Sequence, residues 1–185
     1  SNKAQAGQGD AINTCIGCNQ ACLDFIFADK ASSCLVNPFA GRELDIAIKP
    51  AETPKKIAVI GAGPAGMSAA LTAAECGHSV TLYEAGAVLG GQFNLAKRIP
   101  GKEDFDETIR YFRTRLAQEG VDIRLNTKAN ADELATQGFE HVVVATGVSP
   151  RALDLEGAEG ANVISYIDAL TDAKPVGNRV AIIGS

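Results

Sequence analysis

From residue 55 onward the apolar positions fall into blocks whose period changes along the chain. Ile57 to Ile60 form a continuous apolar run, the pattern of a short strand buried on both faces. A stretch lined with Ala65, Ala69, Ala70, Ala73 and Ala74 follows and predicts a helix ending at Gly77, a good C-terminal stop. Ser79 to Tyr83 supply a second strand. Phe105, Ile109, Phe112 and Leu116 recur at helical spacing within a helix expected over about 103–119. Its acidic first turn (Glu103, Asp104, Asp106) suits the helix dipole, and its apolar face reads as core. After Gly120, Val121, Ile123 and Leu125 alternate with polar residues as a half-buried strand. Ala131 to Gln137 predict a short helix stopped by Gly138, and His141 to Ala145 another buried strand. Residues 150–160 read as a loop and Ser165 to Leu170 as a short helix. The closing run, Arg179 to Ser185, echoes Lys56 to Gly61 and predicts a second buried strand reaching a glycine turn. A domain ending on such a turn reads as an excised fragment of a larger protein.

Ahead of these blocks the pattern weakens. Residues 1–10 are polar and aperiodic, a flexible lead-in. Asn37 to Thr53 hold two prolines and little periodicity, and Pro50 and Pro54 bracket the end of what reads as a connection. The fold class is α/β: an incomplete Rossmann-like βαβ fold preceded by a small cysteine-rich segment. The expected division is 1–14 lead-in, 15–50 cysteine segment and linker, 51–178 nucleotide-binding domain, and 179–185 the start of another.

Chemistry enters where strand meets helix. Gly61, Gly63 and Gly66 stand at G-x-G-x-x-G spacing directly after the first strand. The first permits a sharp turn, the second lets backbone approach a pyrophosphate, and the third lets helix and strand pack closely. Pro64 sits in the first helical turn, where its missing N–H costs little. The helix N-terminus turns orphan N–H groups and a positive dipole end toward a diphosphate. Glu84, 18 residues beyond Gly66, is placed to accept from adenosine ribose hydroxyls. The alternative is a βαβ unit with a tight turn and no ligand. Gly90-Gly91-Gln92 form a second glycine pair; an ordinary turn is one reading, and in a flavin site the loop would cover the dinucleotide on the side away from the first glycines. Lys97, Arg98, Pro100 and Gly101 continue that loop. Ala145-Thr146-Gly147 ends a strand with small residues, where open α/β sheets bind ligands, with a packing turn as the alternative.

Composition narrows the classes. The 185 residues, 46% hydrophobic and 21% charged, are ordinary for a soluble globular domain, and a formal charge of −5 gives no basic footprint for nucleic acid. No apolar run reaches bilayer-spanning length and no signal-peptide pattern opens the chain, so a cytoplasmic setting is expected. Four of the five cysteines, Cys15, Cys18, Cys22 and Cys34, lie at C-x2-C-x3-C-x11-C spacing. Zinc sites usually present two pairs held apart, whereas the three-plus-one grouping points to a Cys-ligated 4Fe-4S cluster. Neither His78 nor His141 is near enough to suggest a mixed zinc site. Zinc remains an alternative, and a redox pair at CIGC lacks a strand-to-helix context. Cys76 reads as a packing residue of the helix.

The segments CIGCNQACLDFIF, SCLVNP, IAVIGAGPAG, GGQFNLAKRIPGKEDF, VVVATGVSPR and PVGNRVAIIG resemble the NADPH-dependent 2,4-dienoyl-CoA reductases. These are flavoenzymes related to trimethylamine dehydrogenase and the old yellow enzymes. The resemblance runs from about Cys15 to Gly184, and the cysteine spacing favours the reductases, because the amine dehydrogenases space their middle cysteines one residue closer. It implies a parent protein with an FMN-carrying TIM barrel, a 4Fe-4S cluster, and an FAD domain interrupted by an NAD(P)H domain, passing electrons from NADPH through FAD and the cluster to FMN. It implies that Cys15, Cys18, Cys22 and Cys34 ligate the cluster. The backbones of Gly61, Ala62, Gly63, Ala65 and Gly66 would hold the FAD diphosphate and Glu84 the ribose. Gly91 and Gln92 would join the cofactor site, Gln92 beside the flavin end, and Ala129 would approach the adenine through its main chain. The barrel of the same parent chain is the expected partner, with no nucleic acid and no membrane. Without that barrel the fragment alone is expected to bind FAD weakly and to be inactive. Competing readings are the equivalent module of an amine dehydrogenase, and a non-enzymatic zinc-binding interaction domain that would leave the glycines and Glu84 unexplained. A thioredoxin-reductase-type enzyme would need a C-x-x-C facing the flavin, and no cysteine follows Cys76.

Overall fold

A computed structural model describes residues 2–151 and 154–184. In chain order the elements are α1 (Asn2–Gln5), α2 (Leu23–Phe27), β1 (Lys56–Ile60), α3 (Pro64–Glu75), β2 (Ser79–Tyr83) and α4 (Phe93–Ala96). They continue as α5 (Phe105–Gln118), β3 (Asp122–Arg124), α6 (Ala131–Thr136), β4 (His141–Val144) and α7 (Tyr166–Leu170). The chain divides into two compact units, residues 1–147 and 148–185. No helix among the described residues is long and apolar enough to cross a membrane.

The first unit is built on a parallel sheet of order β3-β2-β1-β4, the Rossmann-like α/β architecture expected. Ile60 pairs with both Tyr83 and Val144, and Tyr83 with Arg124, so the four carboxyl ends lie in register. The order reverses beside β1, and that switch point is where open parallel sheets bind ligands. Helices α3 and α5 pack on the face carrying Ile57, Val59, Val80 and Leu82, enclosing Met67, Leu71, Ile109 and Leu116. Fully burying one such side chain contributes about 1.5–3 kcal/mol. Helix α3 has Pro64 in its first turn. It closes with His78 N–H donating to the Ala73 carbonyl (3.1 Å) and Gly77 N–H to that of Ala74 (2.8 Å), a Schellman motif.

Four expectations are corrected. The run at β4 is a strand but not a buried one: Val142, Val143 and Val144 are 47%, 37% and 74% exposed. It stands at the sheet edge, paired among the described residues with β1 alone. Residues 93–96, expected within a loop, form the helical turn α4. The lead-in carries α1 and a 3-10 turn at Gly9–Ala11, with Lys3 Nζ donating to the Ala11 carbonyl at 2.8 Å; Ser1 lies outside the described residues.

In the second unit, α7 is capped by Ser165, whose Oγ accepts from Asp168 N–H at 3.0 Å. Residues 179–184 form no strand and are exposed, the fourth correction. An apolar run becomes a strand only beside a partner, and among the described residues of this unit no strand offers one. Ser185 lies outside the described residues, as do Ala152 and Leu153 of the expected loop.

Candidate functional site

At the carboxyl end of β1 each motif glycine meets a different constraint. Gly61 turns with φ +101°, its N–H donates to the Tyr83 carbonyl (2.8 Å), and a Cβ there would strike the Ala145 carbonyl oxygen. A Cβ on Gly66 would strike the Gly61 carbonyl oxygen, so this glycine lets α3 sit against its own strand. Gly63 differs. A Cβ there would meet nothing within 4 Å, so packing does not demand a glycine. The open space lies before the N-terminus of α3, where the N–H groups of Ala65 and Gly66 precede the first intrahelical bond, Met67 N–H to the Gly63 carbonyl. Two glycines are needed by the fold and the middle one is not. That is the fit expected for a diphosphate approaching backbone.

Glu84 faces this turn. Its Oε2 accepts from Ala62 N–H (2.8 Å) and its Oε1 from Gly86 N–H (2.7 Å). Its own N–H donates to the Arg124 carbonyl and its carbonyl accepts from Thr127 N–H. The carboxylate therefore braces the glycine turn and keeps lone pairs available for hydroxyl donors. Sequence spacing did not reveal this brace. It follows from the register Ile60 opposite Tyr83, which sets Gly61 beside Glu84.

The second glycine loop packs onto the first glycines. Gly90 N–H donates to the Ala62 carbonyl at 2.8 Å, and a Cβ on Gly91 would come 2.9 Å from the Gly63 Cα. Gln92 follows as the N-cap of α4. Gly61, Ala62, Gly63, Ala65, Gly66, Glu84, Gly91 and Gln92 thus gather at one end of the sheet. Ala129, half-buried, stands two residues beyond Thr127, at the exit of β3 on the same end.

The cysteine segment lies in the same unit. Gly17 and Asn19 take left-handed conformations (φ +63° and +58°) that reverse the chain around Cys18, and Gly17 N–H donates to Cys15 Sγ at 3.4 Å. Ser33 N–H donates to the Ala21 carbonyl (2.7 Å), bringing the residue before Cys34 against the residue before Cys22. Asn13 Nδ2 donates to the Val36 carbonyl (2.5 Å), tying the approach to Cys15 to the exit from Cys34. All four thiols are free, Cys15 exposed and the others half-buried. Cys18 lines a cavity of about 410 Å³ with Leu35, Phe93, Lys102 and Phe105. Among the described residues no three His, Cys, Asp or Glu side chains stand close enough to hold a metal ion. A four-iron cube is wider than a single ion and its thiolates stand further apart. An all-thiol donor set on a loop with the Gly17 N–H aimed at Cys15 sulfur suits such a cluster. Cys76 is half-buried on α3, its carbonyl accepting from Ala51 N–H.

Helix α5 joins the two regions. Burial works against the Arg115 cation, but Glu75 (2.6 Å) and Glu119 (2.9 Å) more than offset it and hold its pKa above the usual value. Burial raises the Tyr111 phenol, with Arg115 opposing and Glu75 adding.

Residues 55–185 match the family described as pyridine nucleotide-disulphide oxidoreductase. The chain is 41% identical over 187 residues to a metal reductase of Desulforamulus reducens, covering 99% of this chain and 28% of the relative. It is 38% identical over 188 residues to a cinnamate reductase of Clostridium sporogenes, covering 99% and 27%. Among solved structures it superposes on 2-naphthoyl-CoA reductase with a TM-score of 0.91 and 37% identity, over 96% of this chain and 27% of that one. On 6-hydroxypseudooxynicotine amine oxidase from Pseudomonas geniculata N1 the TM-score is 0.82 with 32% identity over 94% and 28%, and on histamine dehydrogenase from Rhizobium sp. 4-9 it is 0.80 with 26% over 94% and 27%. The chain spans about a quarter of the length of the curated relatives it matches.

Proposed function

The chain belongs to the pyridine nucleotide-disulphide oxidoreductases, and from that premise we propose that it is the FAD- and cluster-carrying electron-transfer part of an NADPH-dependent enoate reductase of the 2,4-dienoyl-CoA type. The observation that carries the nucleotide site is the open space at Gly63, a glycine that packing does not require. The N–H groups of Gly63, Ala65 and Gly66 face the diphosphate, while Gly61 and Ala62, already bonded to Tyr83 and Glu84, shape the turn. Glu84 uses its remaining lone pairs on the ribose hydroxyls, Ala129 meets the adenine, and Gly91 and Gln92 close the site toward the flavin. Cys15, Cys18, Cys22 and Cys34 supply four thiolates. When bound, FAD supplies two-electron chemistry with a nicotinamide and the cluster supplies one-electron transfer. The exposed Leu23, Ile26, Phe27 and Leu35 around the cysteines form an apolar surface suited to an FMN barrel of the same parent protein.

Identity does not separate an unsaturated acid or thioester from an amine as the parent's substrate: the cinnamate reductase shares 38% and an N,N-dimethylglycine/sarcosine dehydrogenase of Chromohalobacter salexigens 37%. The C-x2-C-x3-C-x11-C spacing is what favours the reductase here. The test is the Gly63→Ala substitution in the full-length protein. FAD affinity falls at least about tenfold, or about 1.4 kcal/mol, while the urea unfolding midpoint of the flavin-free protein stays put because the new methyl meets no protein atom. Equal affinities would overturn the reading of the site.

A further inference from the structure

One side chain on the nucleotide-binding fold holds the whole approach to the first cysteine. Arg110 projects from α5, one residue after the buried Ile109. Its Nη1 donates to the carbonyls of Gly9 (3.4 Å) and Asp10 (2.5 Å), and its Nη2 to the Ile12 carbonyl (3.1 Å) and Thr14 Oγ1 (3.2 Å). Its Nε donates to Glu107 Oε2 (2.9 Å), and Thr14 Oγ1 donates to the same oxygen at 3.5 Å. One guanidinium thus spans six residues of a segment that ends directly before Cys15, about a hundred positions away in sequence.

This is more than a tether for a chain end. Thr14 is bonded to Cys15, Ile16 is buried just beyond it, and Asn13 carries the constraint across to Val36, two residues past Cys34. Two of the four thiols therefore take their position from α5, whose buried face joins the core of the nucleotide-binding fold, with Ile109 against Gly90. The planar fork is what makes this possible. Lysine presents its donors from one point and cannot reach four acceptors spread along an extended segment.

We propose that Arg110 is a positioning residue for the thiolate set, fixing the Cys15 and Cys34 arms to the nucleotide-binding fold; this rests on the reading of those cysteines as cluster ligands. The experiment uses the full-length protein, purified without oxygen, as wild type and as the Arg110→Ala, Arg110→Lys and Arg113→Ala variants. Arg113 is an exposed arginine on the same helix and controls for the charge change. Three readouts are taken: deuterium exchange over residues 9–16, iron and sulfide per chain, and the electron paramagnetic resonance spectrum of the reduced protein. In Arg110→Ala, exchange over 9–16 rises about tenfold. Its cluster affinity falls about tenfold, as removal of an outer-shell partner costs a metal site, and the residual spectrum shifts in g value. Arg110→Lys keeps the charge and behaves like the alanine variant, while Arg113→Ala matches wild type. Unchanged exchange in Arg110→Ala would overturn the clamp, and a lysine variant equal to wild type would overturn the role of the fork. Faster exchange with unchanged iron and spectrum would reduce Arg110 to a tie for the chain end and overturn the positioning role. Wild-type protein without iron and sulfide would instead overturn the cluster reading, and this inference with it.

Discussion

The stretch from Lys56 to Glu84 and the stretch from Cys15 to Cys34 both place small residues at fixed spacings, yet different forces hold them. In the first, Ala58, Val59, Ala62, Met67, Ala70 and Leu82 are fully buried, and Gly61 and Gly66 are required by packing. In the second, Ile16 is the one buried residue among those described, while Leu23, Ile26 and Phe27 are 44%, 56% and 83% exposed. Its shape comes from backbone hydrogen bonds and left-handed turns, and the Arg110 fork holds the residues that lead into it. The nucleotide fold is self-supporting through burial. The cysteine segment is arranged by polar links.

The largest expected effect tests that contrast directly. Leu82→Ala removes a fully buried side chain and costs about 2–5 kcal/mol in urea unfolding of the chain. Phe27→Ala changes a side chain of similar apolar character in the cysteine segment and costs less than about 0.5 kcal/mol. Comparable losses would mean that the cysteine segment has a core of its own and that the comparison fails.

A smaller effect sharpens the first half of it. Glu84 braces the glycine turn through Ala62, which is fully buried. Glu84→Leu strands that N–H and lowers the stability of the ligand-free chain by about 1–3 kcal/mol. Glu84→Gln retains one carbonyl-type acceptor and recovers most of the loss, because exposed Gly86 finds water instead. If Glu84→Leu left the ligand-free chain unchanged, the carboxylate would serve the ligand alone.

The same contrast explains what the residues alone made legible. The glycine motif was readable because its reasons are steric and local: a turn at Gly61, an open face at Gly63, a close approach at Gly66. The strand at 141–144 was readable as a strand, but its exposure was not, since an apolar run does not say whether its place is central or at an edge. Residues 179–183 carry the same pattern but pair with no strand among the described residues of their unit. The cysteine spacing is visible in the sequence, whereas the links that gather the segment (Ser33 N–H to Ala21, Asn13 Nδ2 to Val36) end on backbone carbonyls that every residue possesses. Arg110 was invisible for another reason: its partners lie about a hundred residues away, and nothing in the local pattern around 110 distinguishes it from Arg113.

The smallest effect lies at the seam between the two regions. Tyr111 stands on α5 beside Phe112 of the core (ring centroids 5.2 Å apart), with Lys3 of the lead-in 5.9 Å over its ring. Burial raises its pKa above 10.0, since an ionised phenolate would lose hydration; Arg115 partly opposes this and Glu75 adds to it. A folded-state pKa above the unfolded one means that folding favours the protonated phenol. That contribution is complete below the unfolded value and is lost as pH rises through the raised folded value. Stability of the wild-type chain therefore declines on the alkaline side, and Tyr111→Phe, which has no proton to lose, declines less over the same interval. Unfolding free energies of the two chains, measured from neutral pH into the alkaline range, check this. The two curves run parallel at neutral pH and separate only above the ordinary tyrosine pKa. Curves parallel throughout would mean that the seam at Tyr111 is as well hydrated as the cysteine segment, and the boundary of the buried core would have to be drawn inside α5.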